Sequence, residues 1–262
     1  MNLLDAIGSD ISVLPNSSMY YGIPALSGYD SVYNSALRPF LSWLGLYPDV
    51  AWNFRITDSR LFETLAAKYT IATPTTLAMV DAGAKKIDEL STESIYVFRN
   101  PEAEGALRSV SHIRPASVMD DLMWDIEGSR NAMIDLIQSE TIVDDAPASG
   151  WKNRYGAADE RSFDVYCRGS VLYSDVTLSE DSLMQMAVPA NEGWKVFLDG
   201  RRIETYSADG GFILFEAPSG AHHIELFYHM PMRLAGYLLS GSGLLVSIVL
   251  RAIVTQKRKQ RT

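Results

Sequence analysis

The clearest pattern in this sequence is a series of short apolar runs between residues 163 and 228 in which apolar and polar positions alternate. The runs are Phe163–Cys167, Val171–Leu178, Leu183–Val188, Trp194–Leu198, Phe212–Ala217 and His223–Tyr228. Turn residues separate them at intervals of roughly 8–14 residues, a spacing typical of antiparallel β-sandwiches. Asp199-Gly200 suits the positive φ angles of a tight hairpin turn, and Pro218-Ser219-Gly220 predicts a second turn.

The residues before this region mix helical and extended patterns. Apolar side chains recur at helical spacing from Val32 to Leu44 around Pro39, in Leu61–Ala67 behind a cap at Asp58 or Ser59, and in Asp120–Gln138. The last segment predicts either one helix or two helices divided at Gly128-Ser129. Lys68–Thr73 and Ile95–Arg99 are rich in β-branched and aromatic residues and predict strands.

A different pattern follows the last predicted strand. Leu234–Leu250 has 17 residues without a charge, which as a helix span about 25 Å, or about 31 Å when continued to Val254. This length predicts a transmembrane helix; the alternative is a buried helix of a soluble protein. Small residues at Gly236, Ser240, Gly243 and Ser247 form one stripe on this helix, which either permits close helix packing in lipid or is simply tolerated there.

These elements predict an α+β fold. We expect a mixed helical and αβ segment at 1–90, a β-rich sandwich domain at 91–230, a transmembrane helix at 232–254 and a basic cytoplasmic tail at 255–262. The sandwich would then stand directly on the membrane surface, because its last strand runs almost straight into the helix.

The charges are divided unevenly along the chain. Six basic residues and no acidic residue follow position 232, so the last thirty residues carry +6 and residues 1–232 carry −15 of the total of −9. Because basic flanks stay in the cytoplasm, the tail predicts that residues 1–230 lie outside the cell membrane.

The first fifteen residues lack the basic and apolar regions of a signal peptide, so this orientation needs an explanation. One explanation is that the chain is the C-terminal piece of a longer membrane protein, which we favour. The other is a tail-anchored protein whose domain stays in the cytosol, against the positive-inside rule.

Composition excludes several classes of protein. A single Cys cannot form an intramolecular disulfide framework or a Cys-rich zinc site, and an acidic chain of pI about 4.9 is a poor candidate for binding nucleic acid. Adjacent His222 and His223 point to opposite faces of a strand, so they cannot chelate one ion together. The sequence contains no phosphate-binding loop, nucleophile elbow or HExxH motif, and we predict neither a metal nor a cofactor.

The last eighty residues resemble the C-terminal end of the bacterial YfhO family. Members have a Gly-Trp-x-Val-x-x-Asp-Gly hairpin, a later Gly-x-His-x-Ile-x-x-x-Tyr strand and a final membrane span. The matching residues here are Gly193, Trp194, Val196, Asp199 and Gly200, then Gly220, His222, Ile224 and Tyr228. Weaker similarities lie at Gly28–Ser31, Leu65–Ile71 and Ile95–Pro101.

The family consists of large membrane proteins that look like glycosyltransferases using polyprenyl-phosphate-linked sugars to decorate cell-surface polymers. The resemblance therefore implies an extracytoplasmic C-terminal domain and last helix, whose partners are the membrane, the preceding transmembrane helices of the same protein, the lipid-linked sugar and a cell-surface glycopolymer. The acidic residues expected to do the chemistry precede this region in the family, so we predict no catalytic residue in this chain. A non-enzymatic, membrane-anchored carbohydrate-binding or scaffold sandwich is the alternative.

The candidate substrate-binding residues are Tyr29, Asp30 and Asn34, which would line a cleft facing the membrane domain. The alternative for Asp30 is that it caps a helix beginning at Ser31. Trp194 is either a sugar-stacking platform or, as an inward hairpin position, a core residue. Trp151 and Tyr155 are expected in an exposed loop, and Cys167 is expected to be buried.

Overall fold

The structure is a computed structural model, which describes residues 35–44, 59–61, 64–75, 77–80, 82–100, 105–122, 128–155, 161–168, 171–230 and 232–259. The helices are α1 (Arg38–Trp43), α2 (Ser117–Leu122), α3 (Gly128–Ser139), α4 (Asp145–Tyr155) and α5 (Arg233–Lys259). The strands are β1 (Tyr69–Ala72), β2 (Lys85–Lys86), β3 (Tyr96–Arg99), β4 (Leu107–Val110), β5 (Ile113–Pro115), β6 (Thr141–Val143), β7 (Ser162–Phe163), β8 (Tyr166–Arg168), β9 (Val171–Leu178), β10 (Ser182–Pro189), β11 (Trp194–Leu198), β12 (Arg201–Arg202), β13 (Tyr206–Ala208), β14 (Phe212–Ala217) and β15 (Gly220–Tyr228). Short 3-10 helices lie at Ser35–Leu37, Ser59–Leu61, Leu77–Met79 and Asp88–Leu90.

Two sheets form the predicted antiparallel sandwich. A five-stranded sheet has the order β12-β11-β15-β9-β8, and a seven-stranded sheet has the order β5-β6-β13-β14-β10-β4-β7. All described pairs are antiparallel except β5 with β6. Inward side chains of both sheets meet in one apolar cluster, which includes Met184 and Phe215 from one sheet and Val196, Ile224 and Leu226 from the other. Each such fully buried side chain contributes about 1.5–3 kcal/mol, so this interface stabilises the domain.

A helical layer packs against one end of the seven-stranded sheet. Phe40 of α1, Met119 of α2, and Met133 and Ile134 of α3 bury their side chains together with Phe212 at the start of β14. The Phe40 and Phe212 rings meet edge to face at 5.2 Å between centroids. The predicted segment 120–138 contains parts of two helices, α2 and α3. This agrees with the alternative that predicted two helices rather than one.

The expected helix over Leu61–Ala67 is wrong in its described part. Ser59–Leu61 forms a 3-10 turn and residues 64–66 form a second turn, in which Ala66 has φ of 51°. A right-handed helix cannot continue through a residue with positive φ, and β1 begins three residues later.

The small sheet β1-β3-β2 consists of the two strands predicted from sequence and the short β2. Tyr69–Ala72 pairs antiparallel with Tyr96–Arg99. The division of the chain at residue 90 stays a prediction, although these paired strands lie on opposite sides of it.

Helix α5 is the last described element. The 19 residues Arg233–Arg251 have a mean hydropathy of 1.6, and none of this apolar window is buried inside the protein. Leu238, Leu239, Leu244 and Leu245 are more than half exposed. By its length and composition the helix is therefore a candidate membrane span, and among the described residues it lacks the burial expected of a core helix in a soluble protein.

Candidate functional site

The motif residues of the sequence form two clusters at opposite ends of one strand pair. β11 and β15 are antiparallel, with Trp194 opposite Tyr228 and Leu198 opposite Ile224. The Gly193-Trp194 end therefore lies beside the start of α5, and the Asp199-Gly200 turn lies at the far end. Tyr228 and His222 are six residue steps apart on β15, which is about 20 Å along the strand.

The cluster near the helix is built on a close approach at Gly193. A Cβ atom at this position would lie 2.4 Å from Cε2 of Tyr228, so only glycine leaves space for the tyrosine ring. The rings of Trp194 and Tyr228 meet edge to face at 5.2 Å between centroids. The Gly193 carbonyl accepts a hydrogen bond from the His229 amide at 2.7 Å, which continues the pairing one residue beyond β15. Trp194 is half-buried and packs on the core between the sheets.

The far cluster fixes the hairpin turn. Asp199 and Gly200 have φ of 50° and 76°, the positive values that the Asp-Gly pair predicted. Asp199 accepts hydrogen bonds from the His223 amide at 2.8 Å and shares one with His222 Nδ1 at 2.7 Å. The hydrogen bond from His222 lowers the pKa of Asp199, and the same bond raises the pKa of His222. This pair tightens the turn on the edge of the sandwich, and Gly220 begins the strand that carries His222.

The two neighbouring histidines point to different faces, as expected. His223 Nδ1 contacts Asp175 Oδ1 at 2.6 Å, and its Nε2 lies 3.6 Å from Glu225 Oε1. Asp175 holds the pKa of His223 above its usual value, and Glu225 adds to the effect. Within the part of the chain that the structure describes, no group of three or more His, Cys, Asp or Glu side chains is placed to hold a metal ion.

Aromatic side chains line the outer face of the five-stranded sheet, and sequence reasoning missed them. Tyr166 and Tyr173 stack at 5.6 Å with a 31° tilt, and Phe197 meets Phe227 at 5.4 Å edge to face. We call Tyr166, Tyr173, Phe197 and Phe227 the outer aromatic row. Its members occupy the outward positions of β8, β9, β11 and β15, so the alternation of each strand carried the signal that would have found them.

A buried ionic network is a second feature that the sequence did not reveal. Asp209 is fully buried at the start of the turn between β13 and β14, with φ of 48°. Its carboxylate accepts hydrogen bonds from Gln185 Nε2 at 2.6 Å, from the Ile142 amide at 2.8 Å and from Arg108 at 3.3 Å. Burial raises the pKa of Asp209, and the guanidinium of Arg108 opposes that rise. The network joins β4, β6 and β10, which is a structural role.

The expectation of an exposed loop around Trp151 and Tyr155 is wrong. Both lie in α4 and are buried against the seven-stranded sheet. Trp151 Nε1 donates to Glu216 Oε1 at 3.1 Å, and the Tyr155 hydroxyl donates to Oε2 at 2.6 Å. Burial, followed by the bond to Glu216, raises the pKa of Tyr155. The glutamate on β14 therefore anchors the helix through two aromatic donors.

Cys167 also departs from the expectation, because it is exposed and not buried. Among the described strands, β8 is at the edge of the five-stranded sheet and pairs with β9 alone. An edge strand offers less cover to both of its faces than a central one, although the alternating pattern is the same.

The substrate-binding candidates Tyr29, Asp30 and Asn34 lie outside the described residues. The described residues begin after them with the 3-10 turn Ser35–Leu37, and in α1 the Phe40 amide donates to the Gly210 carbonyl at 3.0 Å. The helix-packing candidates Gly236, Ser240, Gly243 and Ser247 all lie on α5, and Ser247 donates to the Gly243 carbonyl at 2.9 Å. Their role in packing stays a prediction.

A β-sandwich joined to an apolar C-terminal helix is thus the class of protein that the fold defines. Residues 163–240 match the family described as "Bacterial membrane protein YfhO". Over 82 residues the chain is 32% identical to "Uncharacterized protein YfhO" of Bacillus subtilis (strain 168), in an alignment that covers 31% of this chain and 9% of that relative. No solved structure matches the chain. The region that contains the motif hairpin and the start of α5 belongs to the YfhO family, which confirms the resemblance found from its residues.

Proposed function

We propose that this chain is the extracytoplasmic C-terminal portion of a YfhO-type membrane protein. In this arrangement α5 spans the cell membrane, the sandwich lies outside and the basic tail lies in the cytoplasm. The division of charge supports the orientation, because +6 surrounds the helix and −15 precedes it. The transmembrane helices that precede this region in full-length family members would be its partners within the same protein.

The whole protein, on this proposal, is a glycosyltransferase that decorates a cell-surface polymer from a polyprenyl-phosphate-linked sugar. This portion assists by binding or positioning the acceptor polymer, and it supplies no catalytic residue that we can name. The observation that carries this role is the outer aromatic row. Aromatic faces are apolar platforms of the size of a pyranose ring, and the polar groups of His223, Asp175 and Glu225 lie on the same face for hydrogen bonds with hydroxyls.

The geometry of the row suits an extended polymer. Tyr166 is 55% exposed and Phe227 is 37% exposed, so both offer ring surface to solvent. Tyr173 lies between Tyr166 and His223, whose ring centroid is 6.1 Å away. Successive strands lie about 4.8 Å apart, so a row that crosses β8, β9, β15 and β11 is roughly 14 Å long, enough for two or three sugar residues.

The test uses membranes that contain the full-length protein, a polyprenyl-phosphate-linked sugar and a cell-wall polymer. Tyr166→Ala together with Tyr173→Ala should raise KM for the polymer several-fold and leave kcat unchanged, because the rings bind acceptor away from the chemistry. Tyr69→Ala is the matched control, since Tyr69 is 56% exposed on the separate three-stranded sheet. An unchanged KM would remove the acceptor role. Sugar transfer that persists in membranes lacking the protein would remove the enzymatic role as well.

The second candidate is a non-enzymatic, membrane-anchored carbohydrate-binding sandwich, which the same aromatic row supports. This protein would bind glycan without any sugar donor. Calorimetry of the chain in detergent micelles with cell-wall polymers measures this directly. Heat of binding that Tyr166→Ala abolishes, together with no transfer in the membrane assay, favours the second candidate over the first.

A further inference from the structure

The connection between the sandwich and α5 is too short to let the two separate. The last sheet hydrogen bond is made by the His229 amide, and the Met232 carbonyl already accepts the helical bond of Gly236. Three Cα steps join residues 229 and 232, which at about 3.6 Å each span at most about 11 Å. If α5 crosses a bilayer, the end of the five-stranded sheet that lies next to α5 is therefore close to the headgroup region, which is itself several ångströms thick.

Apolar surface is concentrated at this end of the sheet. Met230 is 59% exposed, Met232 is 80% exposed and Tyr228 is 43% exposed, and the half-buried Trp194 packs against Tyr228. We call Trp194, Tyr228, Met230 and Met232 the collar. The opposite end of the same strands carries the exposed polar turn Asp199–Arg201, so the collar marks one end of the sheet and is not a general property of it.

The charges around the collar favour an anionic surface. Arg168 ends β8 in register with Val171, Lys195 lies opposite Phe227, and Arg233 begins α5. Glu192 is the acidic residue of the adjoining turn, and Lys195 donates to its carbonyl at 2.8 Å. These three cations and one carboxylate give this end of the sheet a net positive charge, which attracts anionic phospholipid headgroups. The local charge contrasts with the strongly acidic character of the first 232 residues as a whole.

We propose that the collar is a bilayer-docking surface, which holds the five-stranded sheet against anionic lipid headgroups and fixes its outer face relative to the membrane. Tryptophan and tyrosine favour the membrane interface because one end of each side chain is apolar and the other is polar. The methionines add flexible apolar contact with the upper acyl chains. The inference rests on α5 spanning the membrane, as the proposed function also does.

The experiment reads depth in the bilayer from an environment-sensitive fluorophore on single cysteines. In a Cys167→Ser background, Glu192→Cys labels the turn next to the collar, and Arg201→Cys labels the opposite end of the same hairpin. Leu244→Cys, in the middle of α5, reports the span itself. The full chain is reconstituted in vesicles of phosphatidylcholine and phosphatidylglycerol that contain lipids with a nitroxide on the headgroup or on the acyl chain.

Docking predicts strong quenching at position 192 by headgroup nitroxide and at position 244 by acyl-chain nitroxide, with position 201 quenched at least about threefold less than position 192. Met230→Ser with Met232→Ser, or vesicles without phosphatidylglycerol, should reduce quenching at position 192 and leave position 244 unchanged. If position 244 is quenched while 192 and 201 are equally unquenched, the span stands and the docking surface is wrong. If position 244 is not quenched, both fail. If the fluorescence at position 192 changes with the density of protein in the vesicles and not with the lipid, the collar contacts a second copy of the chain. That result also overturns the proposal.

Discussion

Among the residues of the YfhO motif, Gly193 is the one for which the structure gives the clearest physical reason. A Cβ atom there would lie 2.4 Å from Cε2 and 2.8 Å from Cζ of Tyr228, and 3.0 Å from the His229 carbonyl oxygen. Carbon atoms in contact normally lie about 3.5–4.0 Å apart, so the ring would have to move by about 1 Å. The backbone of Gly193 does not have a positive φ, so the predicted cost of Gly193→Ala is steric.

The magnitude follows from what the displaced ring loses. Overpacking of this kind costs about 1–3 kcal/mol, of which an edge-to-face aromatic pair such as Trp194 with Tyr228 accounts for about 0.5–1.5 kcal/mol. We expect Gly193→Ala to lower the free energy of unfolding by about 2 kcal/mol. In Tyr228→Ala the ring is absent, so the same glycine substitution should cost less than about 1 kcal/mol.

Urea unfolding of the full chain in detergent micelles, followed by tryptophan fluorescence, measures these values. With a slope of about 2 kcal/mol per molar, a loss of about 2 kcal/mol lowers the urea midpoint by about 1 M. Gly150→Ala is the matched control, because no atom beyond its chain neighbours and the nearby backbone of its own helix lies within 4 Å of a Cβ at that position. This control should raise stability by about 0.5–1 kcal/mol. Equal effects at both glycines, or a cost at Gly193 that persists in Tyr228→Ala, would refute the steric account.

Three further predictions concern separate parts of the fold. Asp209→Ala should destabilise the protein by about 3–5 kcal/mol in the same unfolding assay, because it leaves the Arg108 charge without its buried partner; a loss below 1 kcal/mol would mean that the network is not formed. The Asp199 bond raises the pKa of His222 above 6.5, so its stabilising effect should be complete below pH 6.5 and disappear as the pH rises through the raised value. The stability difference between the natural protein and His222→Gln should therefore shrink from pH 6 to pH 9, and a difference that grows would contradict this sign. If the small-residue stripe of α5 packs on another helix, Gly243→Leu should reduce crosslinking between helices in membranes, whereas Leu244→Ala should not.

Much of the sandwich could be predicted from sequence because its strands alternate cleanly. β9, β11 and β14 have the predicted bounds, and Asp199-Gly200 makes the expected hairpin turn. Each of these strands buries one face on the core between the sheets, so the period of two is visible in its residues. The family motif added the link between this hairpin and the apolar helix.

The elements that were not predicted contain residues that are unusual for a strand or a helix, and contacts with distant parts of the chain compensate for them. β4 lies between two other strands, yet it contains Arg108, whose charge is compensated by the distant Asp209. α4 contains Pro147 and Gly150, which are weak helix formers, and bonds from Trp151 and Tyr155 to Glu216 hold it in place. Neither partner is near in sequence, so no local pattern could indicate these contacts.

The outer aromatic row was missed for a related reason. Alternation marks each of its residues as outward, but only the sheet order shows that these positions lie side by side on four separate strands. Tyr166 and Phe227 are 61 residues apart in the chain, but only β9 separates their strands. The prediction of the proposed acceptor site therefore needs the topology, whereas the candidate membrane span can be recognised from composition and length alone.

The central claim is that the sandwich lies outside the cell on a single C-terminal span, and Cys167 provides a direct test. It is the single cysteine of the chain and is exposed on β8. A membrane-impermeant maleimide should label Cys167 in intact cells. In a Cys167→Ser background, Thr262→Cys should be labelled only after the cells are lysed. Labelling of position 262 in intact cells, with Cys167 protected until lysis, would contradict the account.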